Sequence, residues 1–402
     1  MRMLRPTALA ATFLFVSACS NYSPSVPTQT TPTAQTQHAT IDAQAVPVSA
    51  KFGERALPAA DVQPLRKRRA TRDTSAGPHL WLGDYRGAIW ETNAAQTVEG
   101  TGTTIVGALY DCGAPYGLKF DTAGNLWAAC SATGTVNMYA PKATTATLVL
   151  HATRTEGSSQ VTALTDDVVR DAAGNVYVAN AVTKSGSFFS ATYTVGEIDV
   201  FLAKCGGLPC NGATPDIVLT DPDVNHPCPK KGSCELNYGL SFIDIDANGT
   251  LYQDFFDKVY ACTQKCKLVH VSVGLEKISN PLKKAKYTSL VRRMVSPAGI
   301  SITAAGSVLN MLDAGTGMIS QYTLFPFKKQ GALGPTPQSP HFRNCIPVGI
   351  GFNLSLKLVA AGDAGCNAAI VGDTATNQFT GHRNISYGQL TGAAFEPYIA
   401  GP

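Results

Sequence analysis

The residues best suited to chemistry in this 402-residue chain are its sulfur and oxygen ligands: eleven cysteines, seven histidines and a few close-set acids. Beyond Cys19 lie ten cysteines: Cys112, Cys130, Cys205, Cys210, Cys228, Cys234, Cys262, Cys266, Cys345 and Cys366. An even set of this kind pairs as disulfides in an oxidising compartment and binds metal or stays free in a reducing one. The rival zinc reading draws on Cys262-x-x-x-Cys266 and the Cys228/Cys234 pair, with His226 and His270 nearby. Asp221-Pro-Asp223-Val-Asn225 alternates oxygen side chains as a short calcium loop does, yet it lacks an EF-hand frame, and its residues are ordinary loop formers. The sequence contains no His-Glu-x-x-His pair, no Gly-x-Ser-x-Gly elbow and no Gly-x-x-x-x-Gly-Lys phosphate cradle.

The choice between disulfides and zinc turns on where the chain goes. Arg2 and Arg5 precede the apolar stretch Leu9-Ala-Ala-Thr-Phe-Leu-Phe-Val16, which is too short to span a bilayer and reads as an export signal. It ends in Val16-Ser17-Ala18-Cys19, which resembles a bacterial lipobox. That resemblance implies cleavage before Cys19, lipidation of its sulfur and a membrane anchor, since two or more acyl chains hold where one does not. Ser20 stands where an inner-membrane retention Asp would stand, so the expected address is the outer membrane or the cell surface. Export favours disulfides over zinc. Residues 19–78, rich in Thr, Pro, Gln and Ala, are expected to be a disordered tether that closes on the basic run Leu65-Arg-Lys-Arg-Arg-Ala-Thr-Arg72. This tether and the signal hold the whole positive excess, because residues 79–402 carry 23 basic and 24 acidic side chains. No charge argument for a nucleic-acid partner survives that division.

The elements that must position any site appear as a repeat. Gly117-Leu-Lys-Phe-Asp121-Thr-Ala-Gly124-Asn-Leu-Trp aligns with Asp167-Val-Val-Arg-Asp171-Ala-Ala-Gly174-Asn-Val-Tyr and with Phe242-Ile-Asp-Ile-Asp246-Ala-Asn-Gly249-Thr-Leu-Tyr. Weaker copies start at Gly299 and Gly349. Each copy predicts a strand, an Asp-x-x-Gly turn and an aromatic-rich return strand. The turn acids Asp121, Asp171 and Asp246 are accordingly read as turn formers before catalysts. Repetition on this scale in short alternating strands signals an all-β propeller. Residues 80–90 read as the second and third strands of a blade, and Gly392-Ala-Ala-Phe-Glu396 as a first strand without successors. Five internal copies plus this composite predict six blades over residues 79–402, closed by pairing of the two termini.

The repeat resembles those of NHL-repeat and SMP-30/gluconolactonase-like six-bladed propellers. In the latter, a divalent metal sits at the channel, held by side chains about five residues before the turn acid. The matching positions are Tyr116, Asp166, Ser241, Ala298, Val348 and Thr391, so only Asp166, with Asp167 beside it, offers a ligand. One carboxylate does not make an oxygen cage. Cys112 and Cys345 each lie just before a first strand and Cys130 and Cys366 follow a second, which suggests one bridge repeated in two blades; 205–210, 228–234 and 262–266 would staple loops. The insertions at 180–195, with Ser187-Phe-Phe-Ser190, and at 204–236 are candidate contact surfaces. The reading is an anchored binding or scaffold module for a protein, glycan or small-molecule partner. Its alternative is a metal-assisted hydrolase or lyase.

Overall fold

The computed structural model describes residues 79–396, apart from 94–104, 157–158, 185–192, 221–232, 263–265, 293, 295, 304–305, 335–345, 365–367 and 384–386. The chain opens with β1 (His79–Asp84), β2 (Ala88–Asn93) and β3 (Ile105–Leu109), three strands of a sheet still lacking its innermost member. A complete blade follows, made of β4 (Pro115–Phe120), β5 (Leu126–Cys130), β6 (Thr135–Tyr139) and β7 (Leu148–His151). The next has five strands: β8 (Arg154–Glu156), β9 (Ser159–Arg170), β10 (Val176–Lys184), β11 (Tyr193–Phe201) and β12 (Ile217–Leu219). The fourth sheet holds the longest strands, β13 (Ser233–Ile245), β14 (Leu251–Cys262) and β15 (Cys266–Ser279), with β16 (Lys286–Arg292) outside them. Two more blades run β17 (Pro297–Ile302), β18 (Val308–Asp313), β19 (Met318–Leu324), β20 (Phe327–Leu333), and then β21 (Pro347–Asn353), β22 (Leu358–Asp363), β23 (Ala368–Asp373), β24 (Gln378–Arg383). Finally β25 (Leu390–Phe395) pairs antiparallel with β1, placing Leu80 opposite Phe395 and Gly83 opposite Gly392.

Six sheets result, and the innermost strands touch in the cyclic order β4, β9, β13, β17, β21, β25 and back to β4. The six-bladed propeller and its closure by the two chain ends are therefore as the repeat predicts. One detail is new: the N-terminal stretch supplies three strands of the composite blade, not two. The core lies between blade faces. Trp127, Val136 and Leu150 of one blade, for example, pack on Val168, Val176 and Phe201 of the next. Burial of this kind contributes about 1.5–3 kcal/mol per large aliphatic side chain.

Two local devices recur at the blade ends. At the first, Asp121 Oδ1 accepts the Ala123 and Asn125 amides, while its Oδ2 accepts Asn125 Nδ2 at 2.9 Å and Trp127 Nε1 at 3.0 Å. Asp171 binds Asn175 and the Tyr177 hydroxyl alike, and Asp246 binds Thr250 N and the Tyr252 hydroxyl. Gly124, Gly174 and Gly249 supply the left-handed backbone that these turns need, with φ of 79°, 93° and 77°. Burial first, and then the nearby turn acid, raises the Tyr177 and Tyr252 phenols above their ordinary range, keeping them as donors. Both oxygens of each turn acid accept hydrogen bonds within its own turn.

At the opposite blade end, the last residue of the second strand faces the first residue of the innermost one. There Asp313 accepts Ser296 N at 3.1 Å, Asp363 accepts Ile346 N at 3.0 Å, and Asp84 accepts Gly388 N at 2.8 Å. Cys130 occupies that station opposite Pro115 and is bonded to Cys112. A covalent bridge thus stands where three other blades use a carboxylate.

Candidate functional site

Every innermost strand slips register by one residue once along its length, a β-bulge repeated around the axis. The bulged residues include Tyr116, Asp166, Ala298, Gly349 and Thr391, so five of these positions match or adjoin the six singled out by the repeat. Bulges re-aim side chains, and here they face the axis. Tyr116 stacks on Phe242 with ring centroids 5.7 Å apart, and a Cβ at Gly349 would lie 3.4 Å from the Phe242 ring. Side chains from two non-adjacent inner strands thus meet beside the Gly349 backbone of a third, and the axis is filled at this level rather than open.

On the turn-acid side of that plug lies a cavity of about 870 Å³. Phe120, Phe352 and Phe395 supply aromatic surface, and Lys119, Arg170 and Asp244 supply charge. Lys119 Nζ donates to Ile300 O at 2.9 Å and lies 3.5 Å from Asp244 Oδ2 and 3.9 Å from Asp167 Oδ2. Asp244 also accepts the Ile302 amide at 2.7 Å, and Asp167 accepts the Ile243 amide at 3.1 Å. Arg170 is engaged by Asp121 and the Gly207 carbonyl.

The charges in this cluster follow from depth. Burial acts to lower the Lys119 ammonium, but Asp244 and Asp167 outweigh it and the net shift is upward. Asp167 is wholly buried, and desolvation pushes it up to about 7 although Lys119 and two amides pull the other way. Both shifts are upward but act oppositely on charge: several carboxylates hold the lysine charged, whereas loss of solvent pushes Asp167 toward its neutral form. Its Oδ1 has no hydrogen-bond partner. Asp166 is raised well above the carboxylate range by burial, and further by Asp167 and Asp254. A lysine held protonated is a poor nucleophile or base, and it suits orienting a polar ligand. A neutral buried carboxyl such as Asp166 suits donation of a hydrogen bond.

Of the sequence candidates, Asp166 and Asp167 stand together on the axis. Asp221 and Asp223 lie outside the described residues, as do Cys19, Cys228, Cys345 and Cys366. The 112–130 and 205–210 bridges are formed. Cys262 and Cys266 are direct cross-strand partners in the β14–β15 register. Lys119, Asp244 and Asp254 were not singled out by sequence reasoning. Lys119 and Asp244 both stand two residues before a turn acid, a repeat column otherwise held by Val169, Ser301, Gly351 and Ala394, so reading that column for charge would have found them. A further group was also missed. His79 Nδ1 lies 2.8 Å from Glu91 Oε1 and 3.5 Å from Glu396 Oε2, where both chain ends meet.

No family model matches the sequence, and no curated protein matches it. Solved structures do share the architecture. A chain of a nidogen/laminin complex aligns over 80% of this chain and 99% of its own at 14% identity and a TM-score of 0.50. A periplasmic gluconolactonase from Pseudomonas aeruginosa aligns over 80% and 99% at 11% identity and a TM-score of 0.46. A luciferin-regenerating enzyme aligns over 71% and 80% at 13% identity and a TM-score of 0.44. At such identities the likeness speaks to fold and not to activity.

Proposed function

We propose that this protein is a lipid-anchored, extracytoplasmic binding module that takes a polar ligand bearing a ring, such as a glycan or an aromatic side chain of a protein loop, at the axial cavity. The supporting observation is the cavity itself, with three phenylalanines on its wall and a lysine held protonated by Asp244 and Asp167. Aromatic faces stack on sugar or side-chain rings while fixed charges set orientation, the usual division of labour in a binding site. Anchoring through Cys19 would hold the module at the outer membrane or cell surface. Two measurements test this. Labelled palmitate should enter the wild-type protein and not Cys19→Ser. Envelope extracts and glycan arrays should yield a ligand that is captured by wild type and lost by Phe352→Asp. Capture no better than that of an unrelated lipoprotein would overturn the reading.

A metal-assisted hydrolase or lyase is favoured by one observation: Asp166 is a buried carboxyl beside Asp167 and Asp254. Asp166 and Asp167 would be the ligands of a calcium-like cation. That reading requires lactone or ester turnover that a chelator abolishes and that Asp166→Asn lacks. Metal-independent inactivity toward both substrate classes would remove it.

A further inference from the structure

The composite blade repeats the turn clamp of the other blades with its chain cut open. Glu396 N donates to His79 O at 2.8 Å, as Asp121 N donates to Asn125 O and Asp171 N to Asn175 O. Glu396 is therefore the turn acid, His79 takes the place of Asn125, Asn175 and Thr250, and Trp81 takes that of Trp127, Tyr177 and Tyr252. Opposite those aromatics, the third strands place Met138, Val200 and Lys277, but here they place Glu91. The standard turn needs neither an imidazole nor a second acid, since an amide and one carboxylate already close it in two blades.

The substitutions bring three ligand atoms within 4.8 Å of one another, and it is the one such group of His, Cys, Asp and Glu among the described residues. Glu91 is 0% exposed and His79 4%, whereas Glu396 keeps 22% side-chain exposure and borders the axial cavity. Metal–nitrogen and metal–oxygen bonds of about 2.0–2.2 Å put neighbouring ligand atoms about 3.0 Å apart in octahedral and about 3.4 Å in tetrahedral geometry. The His79–Glu91 and His79–Glu396 separations of 2.8 and 3.5 Å bracket those edges. Two carboxylates also balance a divalent charge, and burying both acids costs less beside a cation. Trp81 Nε1, 3.3 Å from Glu396 Oε2, orients that carboxylate from outside the ligand set.

We infer that His79, Glu91 and Glu396 bind a divalent transition-metal ion of the zinc class that latches the seam between the two ends of the chain. The mixed nitrogen and carboxylate set suits zinc better than calcium. The ligands come from β1, β2 and the residue after β25, so the ion binds the closed ring and not an open one. Binding to the closed form alone raises the melting temperature.

The test uses the full chain, stripped with chelator and then titrated with zinc chloride, with calcium chloride as comparator. Wild type is expected to retain one equivalent of zinc through desalting and to melt several degrees higher with zinc, while calcium shifts it little. His79→Asn, which restores the residue found at 125 and 175, and Glu91→Gln should each lose both effects. Circular dichroism would confirm that both variants fold, and the wild-type titration stands alone if one does not. Asp166→Asn should leave the zinc effect intact, which separates this ion from any at the axis. Failure of wild type to retain zinc, or an equal shift in His79→Asn and Glu91→Gln, would overturn the inference.

Discussion

Trp81 Nε1 donates to Glu396 Oε2 at 3.3 Å across 315 residues of chain. In the neighbouring blade the same bond joins Trp127 to Asp121, six residues away. The aromatic-to-turn-acid bond is thus local in three blades and global in one, and the difference lies only in where the chain begins and ends. Closing a long loop costs more entropy than closing a short one, though the cost grows slowly with length. What completes the ring is mainly the strand that carries Glu396, because it caps the edge of β1 and touches β4 and β21.

A chain ending at Gln389 is therefore expected to lose its cooperative thermal transition and to aggregate, since β1 would present an unpaired edge beside uncovered apolar surface. Leu390, Ala393 and Phe395 leave the core in that truncation. Retention of a single sharp calorimetric transition would show that the other five blades hold without closure.

Gly117→Ala should destabilise the fold by about 1–3 kcal/mol, the cost of overpacking a filled site. An added Cβ would overlap Asp167 Oδ1 and lie 2.7 Å from the Asp166 carbonyl oxygen. Its φ needs no glycine, so the effect is one of space. Urea unfolding reads it directly. A change within error would mean that β4 and β9 shift apart without cost.

The axial acids set a pH dependence of defined sign. Asp167 is raised to about 7 and Asp166 is raised too, so the folded state binds protons that the unfolded state has released. The Asp167 contribution is complete below pH 4 and is lost as pH rises through about 7, and the Asp166 shift acts with the same sign. The stability of wild type relative to Asp167→Asn should accordingly fall across that window. Lys119→Met should cost about 3–5 kcal/mol above it, where a buried carboxylate loses its cation. A flat difference between wild type and Asp167→Asn from pH 4 to 8 would contradict this, as read from urea midpoints.

Much of this was legible in sequence because its causes are local. Asp121, Gly124, Asn125 and Trp127 lie within seven residues and form one turn, so their spacing announces a blade. Likewise Gly392-Ala-Ala-Phe-Glu396 resembles the other first strands and announces closure. The charged axis was not legible in the same way. Lys119, Asp167 and Asp244 come from three strands, and their meeting depends on bulges whose register no local spacing encodes. Nor does a window of sequence reveal that Glu91, opposite Trp81, reaches His79, since Met138 and Val200 stand opposite the aromatic elsewhere.

The exchange of a carboxylate for a disulfide offers the last test. Cys130 stands where Asp84, Asp313 and Asp363 each accept an amide of the segment leading into the innermost strand, and such a bond to a charged group contributes about 1.5–3 kcal/mol. The Cys112–Cys130 bridge spans 18 residues, for which loop entropy gives about 3 kcal/mol. The two devices are therefore near-equivalent at this station. Cys112→Ala with Cys130→Ala should lose about 3 kcal/mol, and Cys112→Ser with Cys130→Asp should recover a large part by capturing an amide ahead of β4. The Cys205–Cys210 bridge closes a loop with a separation of only 5, so its removal should cost less than that of the longer bridge. Urea midpoints of the three variants rank these effects. If Cys130→Asp recovers nothing over the alanine pair, the shared station is a coincidence of register and the bridge acts only by shortening the unfolded chain.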